Sequence, residues 1–251
     1  MGSSTRTLEI VCTSVGCAVQ AEAGGADRIE LCAAIELGGL TPPVGMVMEV
    51  RERCKFPIMA MLRPRTGGFY YSDLEFLNMR RDLDRFLELG IDGVVFGILL
   101  PDGRIDGERC GQLVEQAAGA ETVCHRAFDV TPDPKAALED LIEVGFSRVL
   151  TSGQQPTAVE GADLIRELLA QAAGRIEILP GCGIRAENVR DLVASTGVSQ
   201  VHLSAFQSVP DSSTASSQLL FNVGGISESS YQVVGAEVVR AVRAAMDVAS
   251  S

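Results

Sequence analysis

The sequence predicts an α/β fold, a single TIM-type (β/α)8 barrel, on three observations. Short apolar runs of strand length alternate eight times with helix-like segments at the spacing of βα units. A chain of 251 residues suits one such barrel. No GxGxxG motif follows the first strand, which counts against the competing doubly wound open sheet. Closing eight units into a ring also removes the sheet edges.

Residues 8–12 read as a short strand interrupted by Glu9, and 15–23 as a helix stopped by Gly24 and Gly25, which tolerate positive φ. The second strand is 28–32. The turning loop 35–43, with Gly38, Gly39, Pro42 and Pro43, is a candidate ligand rim before a helix over 44–52. Strand three, 57–63, is broken by Pro64 and followed by the glycine-bearing loop 65–69. Asp73 then sits at a helix N-cap, and Phe76, Met79, Leu83, Phe86 and Leu87 form that helix's buried stripe.

Strand four, 93–99, leads through Pro101, Asp102 and Gly103 to a helix over 107–118. The fifth run ends at His125, and Ala137, Leu138, Leu141 and Ile142 mark a helix ended by Gly145. Strand six is 148–151, with a helix at 161–172. Strand seven, 175–179, runs into Pro180, Gly181, Cys182 and Gly183, with a helix at 186–195, and strand eight is 200–205. Residues 207–231 are serine-rich and aperiodic, a long loop. The last helix, 233–249, carries Val234, Val238, Val242 and Met246 on one stripe. The expected organisation is an unstructured leader at 1–7 and one barrel domain over 8–251.

Composition narrows the class. Hydrophobic residues make up 46% of the chain, too many for a disordered protein. The formal charge of −12 argues against a nucleic-acid or anionic-membrane surface, though not against a small anion held by local arginines. Seven cysteines, odd in number and without a CxxC pair, do not make a secreted disulfide framework. No apolar leader and no apolar span of membrane length are present. The expectation is a reduced, cytoplasmic protein.

If the strands run parallel, their exits share one face, which gathers Cys12, Cys32, Arg63, His125, Ser152, Gly181 and Ser204. Glu9 and Glu30 lie deeper. A carboxylate in an apolar strand is costly unless paired, and Arg63 and Arg65 are the expected partners across the barrel. The four charges make either a structural ion-pair network or a polar active-site floor. His125, followed by Arg126 and Asp129, is either a core imidazole or an acid–base group oriented by a carboxylate. His202, near the end of strand eight, is equally open. Arg63 and Arg65 with the following glycines suit a carboxylate or phosphate. The loop of Gly181 and Gly183 has the position of a barrel phosphate loop, or is simply a tight turn; Ser152 carries the same ambiguity. Spacing alone does not make a metal motif of the cysteines and histidines.

Several stretches together resemble the CutC copper-homeostasis family, and its animal members most closely. They are 25–32, 38–42, 58–65, 71–73, 125–129, 148–153, and Gly183 and Ile184 with Asn188, in the family's order over residues 8–206. The resemblance implies a TIM-like barrel, cytoplasmic or also nuclear, self-associating into a homo-oligomer, with a role in copper handling and Cu(I) binding. It implies Cys12 and Cys32 as copper ligands, and Glu9, Glu30, Arg63, Arg65, His125, Arg126 and Asp129 as a shared polar site. Thr66, Gly68 and Cys182 depart from the family pattern. Two functions follow as expectations. One is a module that binds or buffers Cu(I) through thiolates. The other is an enzyme or sensor for a small anionic metabolite, phosphate or carboxylate, whose array of acids, arginines and His125 a Cu(I) site does not need.

Overall fold

The eight apolar runs become strands of four to six residues, buried on both faces, as a parallel sheet covered by helices requires. The computed structural model describes residues 6–214 and 228–247. In chain order the barrel is β1 (Thr7–Cys12), α1 (Val15–Gly24), β2 (Arg28–Leu31), α2 (Val44–Arg53), β3 (Ile58–Met61), α3 (Asp73–Glu88), β4 (Gly93–Phe96) and α4 (Gly107–Gln116). It continues with β5 (Glu121–Cys124), α5 (Pro134–Val144), β6 (Arg148–Thr151), α6 (Ala162–Ala172), β7 (Glu177–Pro180), α7 (Val189–Thr196) and β8 (Gln200–Leu203). Beyond these lie β9 (Phe206–Pro210), β10 (Ser230–Val234) and α8 (Ala236–Asp247).

The eight parallel strands lie in the order β7-β6-β5-β4-β3-β2-β1-β8. β8 pairs with β1, and returns to β7 through a single bridge between Gly181 and His202. The ring is therefore closed, with a thin seam between β7 and β8.

Strand alternation divides the core in two. Leu8, Ile10 and Cys12 of β1, like Ile29 and Leu31 of β2, face outward into the layer under the helices. Val11, Cys32, Met59, Met61, Val95, Val123, Leu150 and Leu179 fill the barrel interior. Each fully buried large aliphatic side chain contributes about 1.5–3 kcal/mol of transfer free energy. No helix among the described residues is long and apolar enough to cross a membrane.

Several boundaries differ from expectation for local reasons. The α3 N-cap is Ser72 rather than Asp73, because Ser72 and Glu75 form a reciprocal capping box. Residues 207–231 do not form a plain loop: β9 and β10 flank them as an antiparallel pair, with 215–227 outside the described residues. Val233 and Val234 therefore belong to a strand, and the last helix begins at Ala236. Of the leader, residues 1–5 lie outside the described residues, while Thr7 already opens β1.

Candidate active site

Three acid–base groups meet inside the barrel because β1 is flanked by β2 and β8. Register sets Glu9 of β1 level with Arg28 on one side and His202 on the other. Arg28 Nε donates to Glu9 Oε2, and His202 Nδ1 lies 2.7 Å from Glu9 Oε1. His202 Nε2 lies 4.0 Å from Glu30 Oε2 on β2. Gly181 makes room, since a Cβ there would lie 3.2 Å from the His202 ring and 2.6 Å from Leu150. Arg28 also donates to Gln200, which donates to Glu177. Glu177 and Glu121 then hold buried Arg148 at 2.8 Å each.

The electrostatics of the three groups diverge. Burial alone would raise the Glu9 carboxyl, but the His202 hydrogen bond and the charges of Arg28 and His202 outweigh it and hold it at about 2. Burial pushes Glu30 up to about 7; His202 opposes this and Glu9 adds to it. Burial would lower His202, yet the charge of Glu30 and the hydrogen bond and charge of Glu9 raise it instead. Glu9 is thus a permanent anion that orients His202. Glu30 and His202, 4.0 Å apart and both shifted upward, are the pair able to exchange a proton.

His125, expected as either a core imidazole or a carboxylate-oriented acid–base group, sits without the orienting carboxylate. Its Nδ1 accepts from the Ala127 amide at 3.2 Å, and no carboxylate among the described residues orients it. Burial, with Arg63 nearby, lowers it to about 3, so the ring is neutral and carries its proton on Nε2. That Nε2 is buried without a hydrogen-bond partner among the described residues. Gly97 at the β4 exit admits the ring, since a Cβ there would lie 2.8 Å from Nδ1. Phe69 stands between this imidazole, 4.9 Å between centroids, and the Arg63 guanidinium, 5.3 Å from its own ring centre.

Arg63 and Arg65 do not pair with Glu9 and Glu30. Buried Arg63 donates to the carbonyls of Leu37, Gly39 and Gly67, tying two mouth loops together, and meets no carboxylate among the described residues. Arg65 lies outside the cavity on Glu75 and the carbonyls of Thr66, Gly68 and Tyr70. Asp129 is also removed from the chemistry. Its carboxylate accepts from Arg126, Thr151, the Ser152 amide and hydroxyl, and the Gln154 amide. Ser152 in turn accepts from Arg126 Nη2 at 2.8 Å, so Asp129 and Ser152 brace Arg126 at the rim.

Two adjoining cavities open at the strand exits. The deeper, of about 200 Å3, is lined by Glu30, Arg63, Phe69, His125, Arg126 and His202, among others. The outer, of about 420 Å3, runs along Cys182, Gly183, Ile184, Arg185 and Ser204. Ile35, Arg126 and His202 line both. Arg185, Phe69 and Ile35 were not singled out from the sequence. Arg185 is a surface arginine until the β7 loop is folded, and Phe69 reads as one apolar residue in a polar loop.

The cysteines do not fit the expected thiolate pair. Cys12 faces outward with Leu8 and Ile10, whereas Cys32 faces the barrel interior with Val11 and Met61. The Cys12 Sγ contacts the Ile10 carbonyl. Burial pushes both thiols up, aided at Cys12 by neighbouring cysteines and at Cys32 by Glu30. Two buried thiols on opposite faces of the sheet do not present a two-coordinate Cu(I) site. Among the described residues no group of three or more His, Cys, Asp or Glu is arranged to hold a metal ion.

Comparison with known proteins fits this barrel. A family model described as "CutC family" matches residues 6–207. A CutC family protein of Treponema denticola is 46% identical, covering 91% of this chain and 94% of the relative. The human protein named copper homeostasis protein cutC homolog is 45% identical, covering 79% and 72%. A crystal structure of the copper homeostasis protein CutC of Streptococcus agalactiae superposes with a TM-score of 0.75 at 34% identity, covering 79% of this chain and 98% of that one. Bacterial and human relatives are about equally similar, so nothing here singles out the animal type expected from the sequence.

Proposed function

The chain belongs to the CutC family, and on that premise we propose that it is an enzyme moving a proton on a small anionic metabolite bound at the barrel mouth. One observation carries the reading. Arg63 is a buried cation that donates to three carbonyls and meets no carboxylate among the described residues, and it lines one cavity with the Nε2–H of neutral His125, which has no partner there. A buried charge without a counter-ion is costly and favours an anionic occupant.

The residues divide the work. Arg63 and His125 hold a substrate oxygen that gains negative charge, the neutral imidazole donating from Nε2. The Glu30 carboxylate takes a proton from the carbon beside a carbonyl, and its unpartnered Oε1 is free for this. Protonated His202, kept in place by Glu9, delivers a proton at the oxygen or at the neighbouring carbon. The sum is an isomerisation or exchange in which one proton leaves and one returns. The chain's two lysines, Lys55 and Lys135, are both exposed, and Lys135 pairs with Glu167. Among the described residues no amine lines either cavity, so imine chemistry has no lysine nucleophile there.

Sugar phosphates and hydroxycarboxylates, screened by thermal shift and then incubated with the protein in D2O, test this. We expect at least one to raise the melting temperature and to take up deuterium at carbon with the wild type but not with Glu30→Gln. A broad panel in which no anion stabilises the protein removes the basis of the reading. The family's copper link is tested separately. Cu(I) competition against a chelator should give the same stoichiometry for the wild type and for Cys12→Ala with Cys32→Ala, and loss of uptake in the double variant restores the thiolate reading.

A further inference from the structure

The outer cavity differs from the rest of this acidic molecule. Two arginines, Arg126 and Arg185, and His202 line it, and no aspartate or glutamate among the described residues does, in a chain of net charge −12. Arg126 is held by Asp129 and Ser152, whereas the Arg185 side chain makes no hydrogen bond or ion pair among the described residues. Glu187 and Glu237 lie in the neighbouring groove, which shares Arg185 and Ser204 with this cavity.

The backbone is arranged for the same purpose. Asn188 clips the loop after β7 at both ends, its Nδ2 donating to the Gly183 carbonyl at 2.9 Å and its Oδ1 accepting from the Arg185 amide at 2.8 Å. The amides of Gly183 and Ile184, and that of Ser204 across the cavity, donate to no group among the described residues. Gly183 takes φ +71, and a Cβ there would lie 2.7 Å from Thr157, so the tight turn requires glycine. Free amides from a glycine turn make an anion-binding concavity. Its place after β7 and β8 is where barrels hold phosphate.

On these grounds we infer that the outer cavity is a phosphate subsite, and that the substrate is a phosphate monoester whose reacting carbons reach into the deeper cavity. This rests on the proton-transfer reading above and names its substrate class. A carboxylate would be satisfied by one planar guanidinium. Here donors converge from the β7 loop, from the β8 exit and from Arg126 on the rim, which suits the three outer oxygens of a tetrahedral dianion. The phosphate stays bonded throughout, and its binding energy serves to position the reacting end.

Binding of inorganic phosphate, followed by 31P line broadening and by thermal shift with sulfate as competitor and acetate as control, tests the subsite. Arg185→Ala removes an exposed side chain, and Ser204→Glu places an anion in the cavity; circular dichroism checks that both remain folded. Phosphate should bind the wild type, be displaced by sulfate but not by acetate, and bind each variant about tenfold or more weakly. Glycerol 3-phosphate should stabilise the wild type where glycerol does not. Phosphate that does not bind, or that binds both variants as well as the wild type, overturns the subsite. Carboxylates that exchange deuterium while phosphates are ignored also overturn it and leave the proton-transfer reading standing. Phosphate bound as expected with no deuterium exchange on any phosphate monoester keeps the subsite and fails the reading beneath it.

Discussion

Glu30 owes its protonation to its surroundings. Folded, it keeps its proton up to about pH 7; unfolded, it releases it near pH ~4.3. Folding thus favours the protonated form. The stabilisation this gives is present below the unfolded value and is lost as pH rises through the folded one. Raised His202 shifts in the same direction. Glu30→Gln should therefore gain stability over the wild type between about pH 5 and about pH 8, by on the order of 1–3 kcal/mol, in urea unfolding at the two values. An equal difference at both values would mean that Glu30 is ionised throughout. The placement of Glu9, Glu30 and His125 inside the barrel was legible, because polar residues in or at the ends of apolar strands are uncommon. Their partners were not. Arg28 and His202 meet Glu9 only through the register of β1 with both neighbours, and one sequence does not give a register. The pairing expected of Arg63 with Glu9 and Glu30 failed for a related reason, because its guanidinium is turned to the carbonyls of two loops.

Single small residues at strand exits fix the positions of the working side chains. Gly97 follows β4 where the His125 ring needs space. Gly97→Ala should displace that ring and weaken any anion found in the thermal-shift panel by about tenfold or more, while costing about 1–3 kcal/mol in stability. A variant that binds as well as the wild type would show that the ring position is not critical. The Asn188 clip acts on the next loop in the same way. Asn188→Ala should weaken phosphate without altering binding at Arg63. Helices and strands were readable from apolar periodicity, which both faces of a buried parallel sheet reinforce. The β9–β10 pair was not, because its exposed faces lack apolar alternation and its strands are far apart in sequence.

Across the whole molecule, the polar side chains from Glu9 through Arg28, Gln200 and Glu177 to Arg148 form one floor, buried except at Glu177. Removing one cation from such a floor leaves its acid stranded. Arg28→Met should cost about 3–5 kcal/mol in denaturant unfolding, because Glu9 loses a buried partner. A loss under about 1 kcal/mol would indicate that His202 suffices alone. The eightfold alternation made the barrel readable, but nothing in the pattern marks where the ring closes least firmly. That place is the junction of β7 with β8, with the outer cavity at its upper end. An occupant touching Gly183 on one side and Ser204 on the other is a rivet through the last stave of the cask. Amide protons of β7 and β8 should then be the barrel strands' fastest to exchange with solvent in the empty protein, and the ones most slowed when phosphate is added.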